Sequence, residues 1–522
     1  MPSTLTYPGV YIEEIPSGIR TLTGVATSVT AFMGRAESGP VNQPVTISSY
    51  KDYERVFGGL WLSSSMSYAV NDFFRNGGSQ AVIVRLFHKP TKDGAAQSGI
   101  AKLALSNLDL VATDPGSWGN NLLVAVDYRD RETDLPKEIA AGLGVTTSDL
   151  FNLTVTYSDS SGTVVERFVN LTVKDTLRRV DRVLAQSSKL VRVSTTTLPE
   201  TVPAESTAAS EGGEVGVRAT SGTALDSDAL DATDYDCAVL DKADTVNMLC
   251  IPPDTRGGDT PAAVYSAALT YCYGRRAILI VDPPAAWSNK AAADIRVTEL
   301  GLSGQMARNA AVYYPRVMQS DPLRGGMLDQ FAPSGIVAGI IARTDVQRGV
   351  WKAPAGLDAA LAGVDSLLPK LTDSDSGALN PQGINCLRSF PVTGQVIWGA
   401  RTLRGADALG DEYKYLSVRR LALYIEESVY RGTQWAVFEP NDEPLWAQIR
   451  LNVGAFMQGL FRQSAFQGAS PKEAYFVKCD KETTTADDIN AGIVNIVVGF
   501  APLKPAEFVV IKFQQMAGQN SA

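Results

Sequence analysis

The chain has 522 residues, room for two to four domains at about 100–200 residues each, and its 45% hydrophobic and 20% charged composition is that of a globular protein able to bury a core. Its 56 Asp and Glu outnumber 47 Lys and Arg, for a formal charge of −9, and no dense basic block occurs, which argues against a nucleic-acid coat. Five cysteines (Cys237, Cys250, Cys272, Cys386, Cys479), odd in number, widely spaced and never in a C-x-x-C pair, argue against a disulfide framework or a cysteine-pair zinc site and read as small buried hydrophobes in a reducing cytoplasm.

Residues 1–24 read as an arm. Pro8-Gly9 is a turn signal, Val10 to Ile15 is a short β-prone run, and Pro16-Ser17-Gly18 ends it. No nearby segment offers a hairpin partner, so this strand must pair with a distant segment or with another chain. The opening also lacks the basic and apolar regions of a signal peptide.

Residues 25–88 predict an α/β unit: a strand at Val29–Met33, a helix over 67–74 stopped by Asn76-Gly77-Gly78, and a strand over 81–87. Residues 89–236 change character, with short alternating β-like runs at 122–126, 151–158 and 164–173. Within them, residues 200–236 carry nine acidic residues and only Arg218 as a base, and read as a solvated loop. The whole of 89–236 is expected to be a β-rich insertion decorating the body.

From Cys237 the α/β signal returns. Apolar strands at 247–253 and 276–284, each ended by Pro, flank a helical segment at 261–274, a β-α-β rhythm that predicts parallel strands. Helical patterns follow at 411–438 and 444–466. The second gathers Trp446, Ile449, Val453, Phe456, Met457 and Leu460 on one face, with Gln448, Arg450, Asn452 and Gln458 elsewhere. Strands are expected at 493–500 and 508–513. The longest apolar runs, 335–342 and 492–503, fall short of the roughly 20 residues that cross a bilayer.

Signals for chemistry fail one by one. The single histidine, His88, cannot build a multi-histidine metal site. GRAESGP (34–40) has the outer glycines of a phosphate loop but lacks the Lys-Ser/Thr that must follow. The strand-plus-Asp run ending at Asp282, the polar turn DTRGGD (254–259) and GLSG (301–304) each lack the rest of their motif. No catalytic residue and no cofactor is expected, and the seven scattered tryptophans suit packing better than a stacking platform.

Several stretches resemble the contractile-tail sheath family, which covers phage tail sheaths and the sheaths of phage-tail-like injection particles. They are PGVYIEEIPSGIR (8–20), FMGRAESGPVNQPVTISSYKDYERVFGG (32–59), YAVNDFFRNGGSQAVIVRL (68–86) and DPGSWGNNLLV (114–124) in the first part. In the last part they are APSGIVAGIIARTDVQRGVWKAPAG (332–356), LNPQGINCLRSFPVTGQVIWGARTL (379–403), YLSVRRLALYIEESVYRGTQWAVFEPNDEPLWAQIR (415–450) and AGIVNIVVGFAPLKPAEFVVIKFQQ (491–515). Their joint order carries the resemblance; residues 125–236 show none.

The resemblance implies a multi-domain α/β (α+β) subunit: an N-terminal arm (1–24), a discontinuous middle α/β domain (25–88 and 237–331), a variable outer insertion (89–236), an inner domain facing the tube (332–500) and a C-terminal arm (501–522). It further implies arm strands exchanged between subunits, with Val10, Tyr11, Ile12 and Glu13 in one and Phe508, Val510, Ile511 and Phe513 in the other. The implied partners are other copies in a helical assembly of stacked rings, an inner tube protein, and baseplate and terminal cap proteins. Nucleic acid and membrane insertion are not implied. The protein is expected to be made in the bacterial cytoplasm and to work in the assembled particle, by repacking rather than catalysis. Arg450 and Arg462 are candidate tube contacts. Another self-assembling shell or tube protein is the alternative.

Overall fold

A computed structural model of the chain describes residues 22–159, 162–194, 198–206, 215–289, 293 and 297–512. At its centre lies an eight-stranded sheet in the order Pro44–Ile47, Ala81–Arg85, Thr30–Gly34, Met248–Cys250, Ile278–Val281, Ala310–Tyr314, Ile384–Phe390, Gly394–Ile397. The six inner strands are parallel and one antiparallel strand lies at each edge. The inner strands are apolar runs rather than alternating ones, as a sheet covered on both faces requires. Phe32, Ile83, Met248, Ile280 and Tyr313 enter one core, while Ala31, Val82, Leu249, Leu279 and Val312 enter the other. Helices Tyr50–Phe57, Met66–Arg75 and Ser334–Arg348 cover the first face and Ala262–Arg275 covers the second.

The strands and helices expected in 25–88 and 247–284 form, within a residue or two at most boundaries. Helix Tyr50–Phe57 is not among the expected elements, because its eight residues are shorter than the window over which a helical period is read. It is set by Ser49, whose side chain accepts from the Asp52 amide, and by Tyr53 and Phe57, one turn apart and both buried. The expected division at 331/332 falls inside the large sheet: strands Ile384–Phe390 and Gly394–Ile397 extend the sheet begun by residues 30–34. Ile336, Leu387, Ile397 and Leu416 share one core with Phe32 and Ile83, so a single packed unit spans that boundary.

The insertion has its own core. A four-stranded antiparallel sheet (Gly162–Leu171, Phe151–Asp159, Leu122–Asp127, Val217–Arg218) and a three-stranded one (Val191–Val193, Asp109–Ala112, Lys102–Ala104) enclose Leu103, Leu110, Val124, Leu153, Val155 and Leu184. The segment read as a solvated loop is only partly so. Ala224 and Ser227 are buried, the Asp226 carboxylate accepts from the Ser117 amide, and the Asp228 carboxylate accepts from that of Thr91. These two carboxylates are acceptors for amides more than 100 residues away in the chain, a use that composition does not distinguish from solvation.

A last unit packs helices Leu416–Gly432 and Glu443–Arg462 with the hairpin Tyr475–Lys478/Val497–Phe500 around Leu421, Ile425, Trp446, Ile449, Val453 and Met457. Asp442 caps the second helix by accepting from the Leu445 amide. Asn452, expected off the apolar face, is buried. Residues 508–512 form no strand within the subunit. Among the described residues no helix is long and apolar enough to cross a membrane.

Candidate assembly surface

The stretches that resembled chemical motifs are used as staples, most of them held by buried arginines. The carbonyls of Ala36, Glu37 and Gly39, in the loop with phosphate-loop glycines, accept from the guanidinium of Arg85, as does Pro115 in the insertion. A phosphate would need amides there; the loop presents acceptors to a cation instead. Arg85 is almost completely buried, and burial pushes it down to about 10. In DTRGGD, Asp254 pairs with Arg35 at 2.6 Å and Asp259 with Arg316 at 2.6 Å. Asp282, whose carboxyl burial pushes up to about 6, accepts from the amide and hydroxyl of Ser334 at the start of helix Ser334–Arg348.

His88 sits where the chain crosses from body to insertion. Its Nδ1 lies 2.9 Å from Asp234, and its amide donates to Ser227 on the return crossing. Asp231 is close by, but its carboxylate accepts from the amide and hydroxyl of Thr233. These bonds make a clasp between the two crossings. All five cysteines are buried thiols.

The described chain begins on the last unit. Leu22 packs beside Gly432, where a Cβ would lie 2.4 Å from the leucine Cγ, and the Val25 amide donates to Ser428. Thr27 is held on both sides: its hydroxyl donates to Asp345, and its carbonyl accepts from Arg420, which forms a buried pair with the same Asp345. The candidate strand residues Val10, Tyr11, Ile12 and Glu13 precede this point and lie outside the described residues, as does Phe513.

The other end runs from the hairpin past Pro502, which bridges to Phe466, to Glu507. The Glu507 carboxylate accepts two bonds of 2.7 Å from Arg401, one of 2.7 Å from Asn380 and one of 3.1 Å from the Tyr415 hydroxyl. Burial alone would raise its pKa, but these donors outweigh burial and hold the carboxyl below the usual range. Directly after it, Phe508, Val509, Val510 and Ile511 are 73%, 81%, 78% and 70% exposed. Nothing in sequence analysis pointed to Glu507; its one signal is a lone acid between Pro505-Ala506 and an apolar run. Among the described residues the two strands of the preceding hairpin pair only with each other, and Phe476 and Val497 are half exposed.

The two candidate tube arginines differ. Arg450 is engaged within the subunit, pairing with Glu443 at 2.6 Å and donating to the Cys479 carbonyl. Arg462 ends its helix and is exposed.

Residues 228–403 match the family model described as the phage tail sheath protein central domain, and residues 410–516 match the phage tail sheath C-terminal domain, together more than half of the chain. The tail sheath protein of Vibrio phage KVP40 is 26% identical over 183 residues, which are 34% of this chain and 26% of that protein; the chain thus matches about a quarter of that relative's length. In fold it is similar to the sheath of an extracellular contractile injection system, PVC, in the contracted state, at TM-score 0.59 and 21% identity over 98% of this chain and 99% of the other. It is similar too to the contracted helical sheath of the anti-feeding prophage, at TM-score 0.56 and 23% identity over 98% and 100%.

Proposed function

We infer the function from one premise, that this chain belongs to the phage tail sheath family: it is a structural subunit that polymerises as a helical sheath around an inner tube and contracts by rearrangement of its subunits, driving the tube into a target cell envelope. The observation that carries this reading is an unmatched pair of strand surfaces on one subunit. Phe508–Ile511 is apolar, follows directly on its anchor and is at least 70% exposed, while among the described residues the hairpin that precedes it in the chain has open edges. An open strand edge leaves backbone donors and acceptors unpaired, and an exposed apolar run is an aggregation hazard. Both liabilities vanish if the arm of one subunit adds a strand to the hairpin of the next. The N-terminal residues Val10 to Glu13 supply the reciprocal arm.

Contraction on this reading needs no nucleotide. Its energy is a difference in inter-subunit contact between two packings, and about 100 Å² of extra apolar burial per subunit is worth about 2.5 kcal/mol. The subunit is made in the bacterial cytoplasm and joins tube, baseplate and terminal cap proteins in the particle. A tube contact through an exposed ion pair falls to Arg462 rather than Arg450, whose charge is already paired.

Val510→Pro tests the reading, since proline removes a ladder donor without touching the subunit's own core. Wild-type protein is expected to form cylinders in negative stain, and the variant to remain a folded monomer by circular dichroism and sedimentation. Normal cylinders from the variant would rule out arm exchange. Rings or closed shells from the wild type would favour a different self-assembling shell.

A further inference from the structure

The C-terminal arm is fastened to its subunit by one carboxylate. Leu503 and Phe508, on either side, are 38% and 73% exposed, yet the Glu507 side chain is 18% exposed and accepts four hydrogen bonds. Its main donor, Arg401, has no exposed side-chain surface. Arg401 is itself wired into the large sheet. Its amide donates to Asn385 Oδ1 at 2.6 Å, and Asn385 Nδ2 returns a bond to the Arg401 carbonyl at 2.8 Å and another to the Val312 carbonyl at 3.1 Å. Asn385 lies in strand Ile384–Phe390 and Val312 in strand Ala310–Tyr314. A continuous path of short polar contacts therefore joins the arm's exit point to two parallel strands of the body.

We propose that Glu507 is a positioning residue, whose grip by Arg401 fixes where the C-terminal arm leaves the subunit and delivers the pull of a neighbouring subunit to the eight-stranded sheet. The inference rests on the arm-exchange reading and adds the point of attachment. A bidentate arginine–carboxylate pair sets direction as well as distance, which suits a fixed exit better than apolar packing does. With the grip in place, only residues beyond 507 are ordered by the neighbour. Without it, the free arm begins back at Pro502, and the additional residues add their ordering entropy to every docking event.

The test uses the full chain with Glu507→Ala, Glu507→Gln and Glu507→Asp, beside Val510→Pro. The Ala and Gln variants are expected to keep the wild-type circular dichroism, to melt at a lower temperature because Arg401 loses its partner, and in the folded state to need about tenfold to a hundredfold more protein to form cylinders, the scale of losing charge-assisted hydrogen bonds. Glu507→Asp, which keeps the charge, should recover part of that loss. Cylinders at the wild-type concentration would overturn the proposal. So would a lowered melting temperature with unchanged polymerisation of the folded fraction, because Glu507 would then be a staple of the fold alone. If the single variants fail to fold, the apolar pair Arg401→Met with Glu507→Leu removes both charges together. The same polymerisation deficit in that pair supports the proposal, and normal polymerisation overturns it. Val510→Pro separates the two readings: if it is blocked while Glu507→Ala is normal, only the anchor fails; if it polymerises normally, arm exchange fails as well.

Discussion

Asp72 lies on helix Met66–Arg75, buried, with its carboxylate accepting from Gln319 Nε2 at 3.0 Å. Burial raises its carboxyl from 3.8 to about 7, which the Gln319 bond and the Arg75 charge offset only in part. Between those values the folded chain holds a proton that the unfolded chain has released, so stability falls as pH rises through that window. Asp282, raised to about 6, adds the same slope over a narrower range. Asp72→Asn keeps an acceptor for Gln319 and removes one titration. From about pH 5 to about pH 8 the wild type should lose roughly 1–3 kcal/mol more unfolding free energy than the variant, read from urea titrations. Equal losses would mean that Asp72 ionises in the ordinary range. Such residues are hidden from sequence reasoning because their partners are remote: Gln319 is 247 residues from Asp72, and Glu507 is 106 from Arg401. The arginine staples give the motif-like stretches a structural use within the subunit, but their pairings needed the fold.

At the scale of elements, the contact between helices Met66–Arg75 and Ser334–Arg348 is set by two glycines. A Cβ on Gly335 would lie 2.1 Å from the Ala69 carbonyl oxygen, and one on Gly339 2.5 Å from that of Phe73. Both clashes are with backbone, which cannot rotate away. Gly335→Ala is expected to destabilise the subunit by roughly 1–3 kcal/mol in chemical denaturation, as overpacking does; an unchanged midpoint would mean that the helices separate without cost. Strands such as 81–85 and 278–281 were legible because a buried parallel strand is a short apolar run bounded by Gly or Pro. Helix Tyr50–Phe57 was not, since its helically spaced Tyr50, Tyr53, Val56 and Phe57 fill only eight residues, fewer than the window over which a helical period is read. The segment 200–236 misled through composition: its acids were counted as solvated, whereas Asp226 and Asp228 accept from backbone amides of the insertion's first crossing. Replacing 224–232 with a Gly/Ser linker should therefore loosen the insertion, detected as faster amide exchange around Ser117 and Thr91; unchanged exchange would show those bonds to be dispensable.

For the whole molecule, the mixed α/β class was legible, and the continuation of the large sheet past residue 331 was not. A strand contributed 70 residues after Tyr314, at Ile384, to the side of an existing sheet looks, in sequence, like the start of a new domain. The alternation of 508–513 predicts a strand, and residues 508–512 form none with the other described residues of the subunit. Strand geometry needs a ladder partner, and a partner on another subunit reconciles the sequence pattern with that exposure. Deleting residues 1–18 should likewise leave a folded subunit that does not polymerise, by light scattering and electron microscopy, since the described contacts of Leu22 to Thr27 would remain. Aggregation or unfolding of that variant would place the segment in the subunit's own core.

The most direct measurement is a cryo-microscopy map of the polymerised wild-type protein, traced through residues 508–512. The account predicts that in the cylinder this segment of one copy is a β-strand hydrogen-bonded to the Tyr475–Lys478/Val497–Phe500 hairpin of a neighbour, with Glu507 still on Arg401 of its own subunit. A map in which the segment folds back on its own subunit, or in which neighbouring copies share no strand, would contradict it.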